Sequence, residues 1–380
     1  MDGVPQLDLK AQYATLRGEM ARALEAVLEA QAFVLGPTVE RFEAEMSGYL
    51  DGSQAIGCAS GTDALILSLA ALDVGPGDQV VTSPFTFFAT ASCAYKVGAR
   101  PVFVDVEPGT LQIDPNKVEA AIGPRTRALL PVHLFGQCCD MDALLALAER
   151  HRLPVVEDAC QALGARHLGK DGRSRPAGTL GRTGTYSFFP SKNLGGYGDG
   201  GLVATGDLAL AARLRKLRVH GAETRYHHLE VGWNSRLDAL QAAVLSVKLK
   251  HLDAWSKARA DNADRYDRLL AEAGLVAAGK AVPLQRAPYS THIFHQYTVR
   301  VKDRDAVAEH LRTRGIGHAI YYPVPLHLQE CFRDLGYRAG ALPVAEQAAR
   351  EVLSLPMYPE LTAAQQERVV AELVTGTRKG

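Results

Sequence analysis

Seven short β-rich runs, each of four or five residues, alternate with helical segments over the first two hundred residues of the chain. They are Ala55–Ala59, Gln79–Thr82, Pro101–Asp105, Ala128–Val132, Pro154–Asp158, Thr185–Phe189 and Leu202–Thr205. The helical patterns between and after them cover Thr62–Ala71, Phe87–Tyr95, Asp140–His151 and Leu208–Arg218. Strands apolar on both faces and interleaved with helices predict an α/β fold, with a mostly parallel sheet covered on both sides. Ahead of it, Leu16, Met20, Ala23, Leu24, Val27 and Leu28 mark a helix that stops at Gly36-Pro37, and a second spans Pro37–Leu50. Behind it, the 3–4 spacing of Leu237, Leu240, Val244, Val247, Leu252 and Trp255 toward Leu270 predicts one long helix leading to a second domain. The remainder is smaller and mixed: a strand over His295–Val301, then helices over Asp305–Arg314, Val344–Leu353 and Thr362–Leu373. This places a large domain with an N-terminal helical arm over 1–250 and a smaller α+β domain over 251–380.

The two-domain reading suits a chain of 380 residues. Its 42 basic and 42 acidic residues cancel, so charge gives no argument for nucleic acid or a membrane surface as partner. Met1 to Gln6 carries no basic and apolar leader, and no apolar run approaches the roughly 20 residues of a membrane helix. A cytoplasmic protein is the expectation. Six cysteines without a CxxC pair, two of them adjacent at Cys138-Cys139, suit neither a disulfide framework nor a zinc site. They read as reduced, packed thiols, with no metal site expected.

The chemistry concentrates between Ser187 and Gly201. An apolar strand ends at Pro190, delivers Lys192, and enters a turn with five glycines. A lysine just past a strand end, in a loop too slim to crowd a flat ligand, is a candidate nucleophile toward a carbonyl. Ser60-Gly61-Thr62 follows a strand and opens a helix; it reads as an anion cup or as an ordinary N-cap. Asp158 ends a buried strand, where ligands of open α/β sheets bind, and a buried acid there needs a cationic partner such as a protonated pyridine. Ser187, five positions before the lysine, is within reach of a phosphate; Phe87 reads as a stacking face or as a core aromatic. Gly196-x-Gly198-x-x-Gly201 imitates a dinucleotide fingerprint but leads into a strand rather than a helix, so a nicotinamide enzyme fits poorly. Phosphate cup, acid, ring and lysine, each at a strand end, together describe a pyridoxal 5′-phosphate site.

At these residues the sequence resembles the DegT/StrS nucleotide-sugar aminotransferases, within the fold-type I pyridoxal phosphate enzymes. The resemblance runs through Ser60–Leu65, Phe85–Thr90, Pro131–Gln137, Glu157–Gln161, Ser187–Gly201, Leu217–Gly221, Asn234–Ala243, Tyr322–His327 and Leu355–Met357. It implies that Lys192 bonds covalently to the cofactor, Asp158 holds the pyridine nitrogen, Gln161 contacts the ring hydroxyl and Phe87 covers the ring. Gly61, Thr62 and Ser187 would hold the phosphate. Asn234 would reach the phosphate of a neighbouring subunit, which implies a homodimer with shared active sites. Arg236, Tyr322, His327 and Arg225 would face substrate.

The resemblance further implies amination of a keto-sugar with glutamate as donor. Arg225-Tyr226-His227-His228 ahead of Val231–Asp238 resembles the subgroup acting on 3-keto nucleotide sugars, and most of all the UDP-2-acetamido-2-deoxy-3-oxo-glucuronate aminotransferases of surface-polysaccharide (O-antigen) assembly. Arginine at 225 or 236 suits a uronate carboxylate or a diphosphate. The histidines also read as an exposed loop. Tyr321 stands where many relatives carry histidine, so the sugar-facing wall departs from theirs. Three alternatives stand beside this reading: a 4-keto-6-deoxy sugar as acceptor, a cofactor-binding regulator without turnover, and a sugar dehydratase, which Lys192 disfavours.

Overall fold

The computed structural model describes residues 3–378. The chain opens with two helices, α1 (Leu9–Ala30) and α2 (Pro37–Tyr49). Asp8 caps α1 through its carboxylate, and Pro37 sits in the first turn of α2, where its missing N–H is not needed. The alternating region follows as β1 (Gln54–Cys58), α3 (Gly61–Ala71), β2 (Gln79–Thr82), α4 (Ala89–Lys96), β3 (Arg100–Phe103), α5 (Pro115–Ala121), β4 (Thr126–Leu130), α6 (Met141–His151) and β5 (Val156–Asp158). A small hairpin, β6 (Arg166–Leu168) and β7 (Ser174–Pro176), precedes β8 (Thr183–Ser187), β9 (Gly201–Thr205) and α7 (Leu208–Leu217).

Parallel bridges Leu129–Val155 and Val132–Asp158 join two ladders into one sheet, ordered β3-β2-β4-β5-β8-β9-β1. Six strands run one way, and only β9 is antiparallel to its neighbours. A parallel return needs a crossover, whereas an adjacent antiparallel strand does not. The Pro190 and glycine turn therefore reverses the chain directly, leaving the Lys192 loop at the carboxyl end of β8. Both faces are covered. Along β9, Leu202 and Ala204 join a core with Phe42, Ala242 and Leu245, while Val203 faces the other way among Leu67, Ala211 and Leu214. That strict alternation on a doubly buried strand explains why the sequence shows continuous apolar runs.

Past α7, a second hairpin of β10 (Ala222–Thr224) and β11 (His227–His228) stands on the surface. The stretch expected as one long helix is two: α8 (Ala239–Leu249) and α9 (Leu252–Glu272), with a turn at Lys250-His251. The two helices serve different cores. Val244 and Val247 pack on Leu16 and Met20, whereas Ala263, Tyr266 and Leu270 enter a C-terminal core. Hydrophobic spacing reports a helical face but not a change of axis, so the sequence pattern ran straight through the bend.

That C-terminal core gathers β13 (Tyr297–Arg300), α10 (Arg304–Thr313), β14 (Val352–Leu355) and α12 (Ala363–Gly376) about an antiparallel sheet completed by β12 (Val282–Pro283), while α11 (Pro343–Glu351) packs Ala345, Ala348 and Ala349 into a separate cluster. Val4 of the N-terminal segment packs into the C-terminal core as well. The separate cluster, with Phe85, Phe103 and Phe135 on one side and Leu326, Phe332 and Val352 on the other, ties the C-terminal part to the large sheet. No helix among the described residues is long and apolar enough to cross a membrane.

Candidate active site

The carboxyl ends of β5 and β8, the start of α3 and the segment around Tyr322 enclose a cleft of about 420 Å³. It brings together Gly61, Thr62, Phe87, Asp158, Gln161, Ser187, Lys192 and Tyr322, residues that stand up to 261 positions apart in sequence (Gly61 to Tyr322).

Asp158 forms one wall and is almost wholly buried. Its Oδ2 accepts from the Thr90 hydroxyl at 2.7 Å, and its Oδ1 accepts from the Cys160 N–H at 3.2 Å. Thr90 in turn lies 3.0 Å from the Thr86 hydroxyl. Among the described residues no lysine, arginine or histidine forms an ion pair with Asp158. A buried carboxylate without a cation of its own is expensive unless a ligand brings one. The adjacent Glu157 points behind the wall. Its carboxylate accepts from the backbone N–H of Gly178, Leu180 and Gly181 and meets His133 Nε2 at 2.8 Å. His133 Nδ1 accepts from the Cys139 N–H at 3.1 Å, so the proton sits on Nε2 and is donated to Glu157.

Gln161 is oriented by its neighbours. Its Oε1 accepts from the Phe135 N–H at 2.9 Å, which leaves Nε2 to donate to the Tyr322 hydroxyl at 2.9 Å. Burial pushes the Tyr322 phenol up, so it remains protonated across the ordinary pH range.

On the opposite side, Ser60 is the N-cap of α3 and accepts from the Asp63 N–H at 3.1 Å. The capping reading therefore holds for Ser60, while Gly61 and Thr62 line the cleft at a helix start whose first N–H groups have no intrahelical partner. Gly61 has no room for a side chain: a Cβ there would lie 2.6 Å from Ser187 Cβ and 3.0 Å from Cys160 Sγ. That closeness sets the helix start against the end of β8. Lys192 is partly accessible from the cleft; desolvation lowers its amine, against the opposing charges of Cys160 and Asp158. Among the described residues it too forms no ion pair. An amine with a depressed pKa, an unpaired buried carboxylate and a helix start on one cleft are a donor set that fits a phosphorylated, cationic ring bearing a carbonyl.

Phe87 lines the cleft but is 56% exposed, so it is not a core aromatic. Four expected residues lie outside the cleft wall of this chain. Asn234 is exposed, and Arg236 is half-buried on the same segment. Arg225 sits in the β10–β11 hairpin, its guanidinium 5.1 Å from the Tyr226 ring. His327 is a correction: it is 2% exposed, bonded to Glu346 Oε1 at 3.1 Å and packed between Phe103 and Tyr337. It is a core histidine held through Nε2 and lies outside the cleft wall. Conversely, Thr86, Cys160, Asp199, His295 and Gln296 line the cleft without having been singled out.

Residues 14–374 match the DegT/DnrJ/EryC1/StrS aminotransferase family. The chain belongs to that family. It is 50% identical over 372 residues to a pleiotropic regulatory protein of Geobacillus stearothermophilus, with 97% of each chain covered. It is 47% identical to the dTDP-3-amino-3,4,6-trideoxy-alpha-D-glucose transaminase of Streptomyces venezuelae (97% of this chain, 94% of that one). It is 42% identical to the UDP-2-acetamido-2-deoxy-3-oxo-D-glucuronate aminotransferase of Pseudomonas aeruginosa (97% and 98%). The fold superposes with a TM-score of 0.94, at 45% identity and 99% coverage of both chains, on the crystal structure of S. venezuelae DesV in complex with a ketimine intermediate. The chain is thus a pyridoxal phosphate-dependent nucleotide-sugar aminotransferase.

Proposed function

We propose that this aminotransferase moves the amino group of glutamate to carbon 3 of a nucleotide-linked keto-sugar, releasing 2-oxoglutarate. The observation that carries the chemistry is the placing, across one cleft, of a lowered lysine amine at 192 and a buried carboxylate at 158 that forms no ion pair among the described residues. Carbon 3 is supported by two relatives above 40% identity that are named for amination at that carbon on different nucleotides.

Pyridoxal phosphate, when bound, supplies a carbonyl that captures amines and a ring that withdraws electrons from the neighbouring carbon. Gly61, Thr62 and Ser187 would hold its phosphate, Asp158 its ring nitrogen, Gln161 its hydroxyl and Lys192 its aldehyde, with Phe87 over the ring. The protein's own part is then positional. Asp158 keeps a proton on the ring cation because Thr90 and the Cys160 N–H fix its carboxylate. Lys192, whose lowered pKa leaves more free amine near neutrality, takes the donor's α-proton and delivers it to the carbonyl carbon.

Asn234, outside its own cleft, and the exposed apolar side chains Phe87 and Phe189 in the cleft wall support a homodimer with shared sites. Within UDP-linked acceptors we favour 2-acetamido-2-deoxy-3-oxo-glucuronate, on the strength of the P. aeruginosa relative and of Arg225 and Arg236 as cations for its carboxylate.

Purified enzyme should be yellow and should convert UDP-linked 3-keto sugars with glutamate to amino-sugars, read by mass spectrometry with 15N-glutamate. Transfer to a 4-keto-6-deoxy sugar at equal or higher kcat/KM would overturn the carbon-3 reading. A borohydride-treated protein without an adduct on Lys192 would overturn the chemistry.

A further inference from the structure

His295 enters the cleft from the segment that leads into β13, and it is 6% exposed. Its Nδ1 lies 3.1 Å from Oδ1 of Asn193, the residue that immediately follows Lys192. The orientation of that amide is fixed from its other end, because Asn193 Nδ2 donates to the Ile293 carbonyl at 3.2 Å. A flipped amide would set two oxygens against each other. Asn193 therefore presents an acceptor to the ring, and His295 Nδ1 must carry the proton. In a neutral imidazole Nε2 is then bare, an acceptor with no donor assigned among the described residues. Burial holds the ring well below its ordinary value, and the charges of Lys192 and Arg259 reinforce this, so the ring stays neutral.

A tautomer fixed on one nitrogen and a lone pair left on the other make a device for receiving one hydrogen bond. Of the side chains that share the cleft with His295, those of Lys192 and Gln296 carry N–H donors with no acceptor partner among the described residues, and of these two Lys192 is the cation whose charge acts on the imidazole. The peptide link between Lys192 and Asn193 couples the two: the side chain that sets the tautomer belongs to the same turn as the amine.

We infer that His295 is a positioning residue for Lys192, with a bare Nε2 that accepts a hydrogen bond from the Lys192 ammonium and holds it on the reacting side of the cleft. This rests on the proposed role of Lys192 as the proton-moving group. When Lys192 has taken up a proton, His295 gives the resulting ammonium one fixed acceptor without competing for the proton. Asn193 acts one step further back, by keeping the imidazole in the tautomer that can accept.

Two measurements on the whole enzyme test this independently. In cofactor-free protein carrying 15N-histidine, with His295 assigned by comparison with His295→Phe, the expected result from pH 6 to 8 is a protonated Nδ1 and an unprotonated Nε2. Lys192→Met should move the Nε2 resonance and leave Nδ1 in place. A proton on Nε2, or an Nε2 resonance indifferent to Lys192→Met, overturns the inference whether or not the enzyme transaminates. In the loaded enzyme, His295→Phe should slow the stopped-flow glutamate half-reaction at least tenfold at unchanged glutamate saturation. It should also shift the pH midpoint of the cofactor's absorbance, and His295→Gln, whose amide oxygen replaces the Nε2 acceptor, should recover most of the rate. A wild-type rate in His295→Phe, or no difference between Phe and Gln, overturns the inference. A wild-type enzyme inert to glutamate would instead overturn the function, leaving the resonance test to decide the contact.

Discussion

The wall of the cleft at Asp158 and the hairpin at Arg225 are built on opposite physical terms. At Asp158 the polar groups of the wall hold one another: carboxylate by Thr90 and the Cys160 N–H, Gln161 by Phe135, Glu157 by three backbone N–H groups and His133. At the hairpin, Tyr226 is 79% exposed, and the following Leu229 and Val231 are 62% and 93% exposed. Chemistry shared across a family is placed where the fold determines the geometry several times over. On the proposed function, discrimination between sugars would fall to a surface segment that one chain alone leaves uncovered. Substitutions in the first region should therefore change rate or folding, and those in the second should change preference.

The largest effect is expected at Lys192. Lys192→Ala removes both the covalent attachment point and the proton carrier, so turnover should fall by roughly 10³-fold or more, the range of a lost acid–base group. Coupled assay of 2-oxoglutarate checks this, and residual turnover near wild type would refute the assignment. Glu157→Gln should act on stability instead. It puts an amide N–H against backbone donors at a fully buried position and should cost about 3 kcal/mol of unfolding free energy. Urea denaturation reads it. If Glu157→Gln left stability intact and only lowered kcat, Glu157 would belong to the reacting group rather than to the frame.

Thr90→Val keeps Asp158 charged but frees one oxygen. A hydrogen bond to a charged group is worth about 1.5–3 kcal/mol, so kcat should drop roughly 10–150-fold with the fold unaffected. Smaller still is a pH effect on the Lys192 turn. Buried Lys248 donates to the Gly195 carbonyl at 2.7 Å, and desolvation pushes it down to about 8. Between that value and the unfolded lysine's ~10.4, the unfolded chain binds a proton the folded chain lacks, so stability rises with pH through this window. Lys248→Met should flatten that rise, on the order of 2 kcal/mol, in denaturation series from pH 7.5 to 10.5.

Much of the Asp158 wall was legible in the sequence, because buried strands read as apolar runs and their ends are where ligands bind. Asp158 and Lys192 end such runs directly, and the resemblance supplied Gln161. Thr90 was present in a quoted motif, but its role is a 2.7 Å contact across 68 positions that no spacing reveals. His295 was hidden for a related reason: it opens a strand of the C-terminal core, and only the fold sets it beside the Lys192 turn. His327 misled in the opposite direction. The resemblance implies a substrate-facing role for it along with Tyr322, five positions earlier. The single 3₁₀ turn Leu326–Leu328 instead carries it inward onto Glu346. The bend at Lys250-His251 escaped because helical periodicity on both sides is unbroken.

The hairpin carries the smallest prediction and the one that sharpens the contrast most. Among the residues lining the cleft, Lys192 is the only lysine or arginine. An acceptor carboxylate therefore finds no arginine in the wall of one chain, and the cations proposed for it are Arg225 and Arg236. Arg225 rests on its own neighbour Tyr226 in an exposed loop, with no ion pair among the described residues, so a contact there is solvent-screened and worth about 0.2–1 kcal/mol. Arg225→Ala should accordingly raise KM for a 3-keto uronate by roughly 1.5–5-fold, with kcat unchanged. It should leave KM for the corresponding uncharged 3-keto hexose, carried on the same nucleotide, where it was. Salt should reproduce the effect in wild type and add nothing in the variant. Equal losses on both sugars would move Arg225 from the carboxylate to the shared diphosphate, and no loss on either would take the hairpin out of substrate recognition altogether.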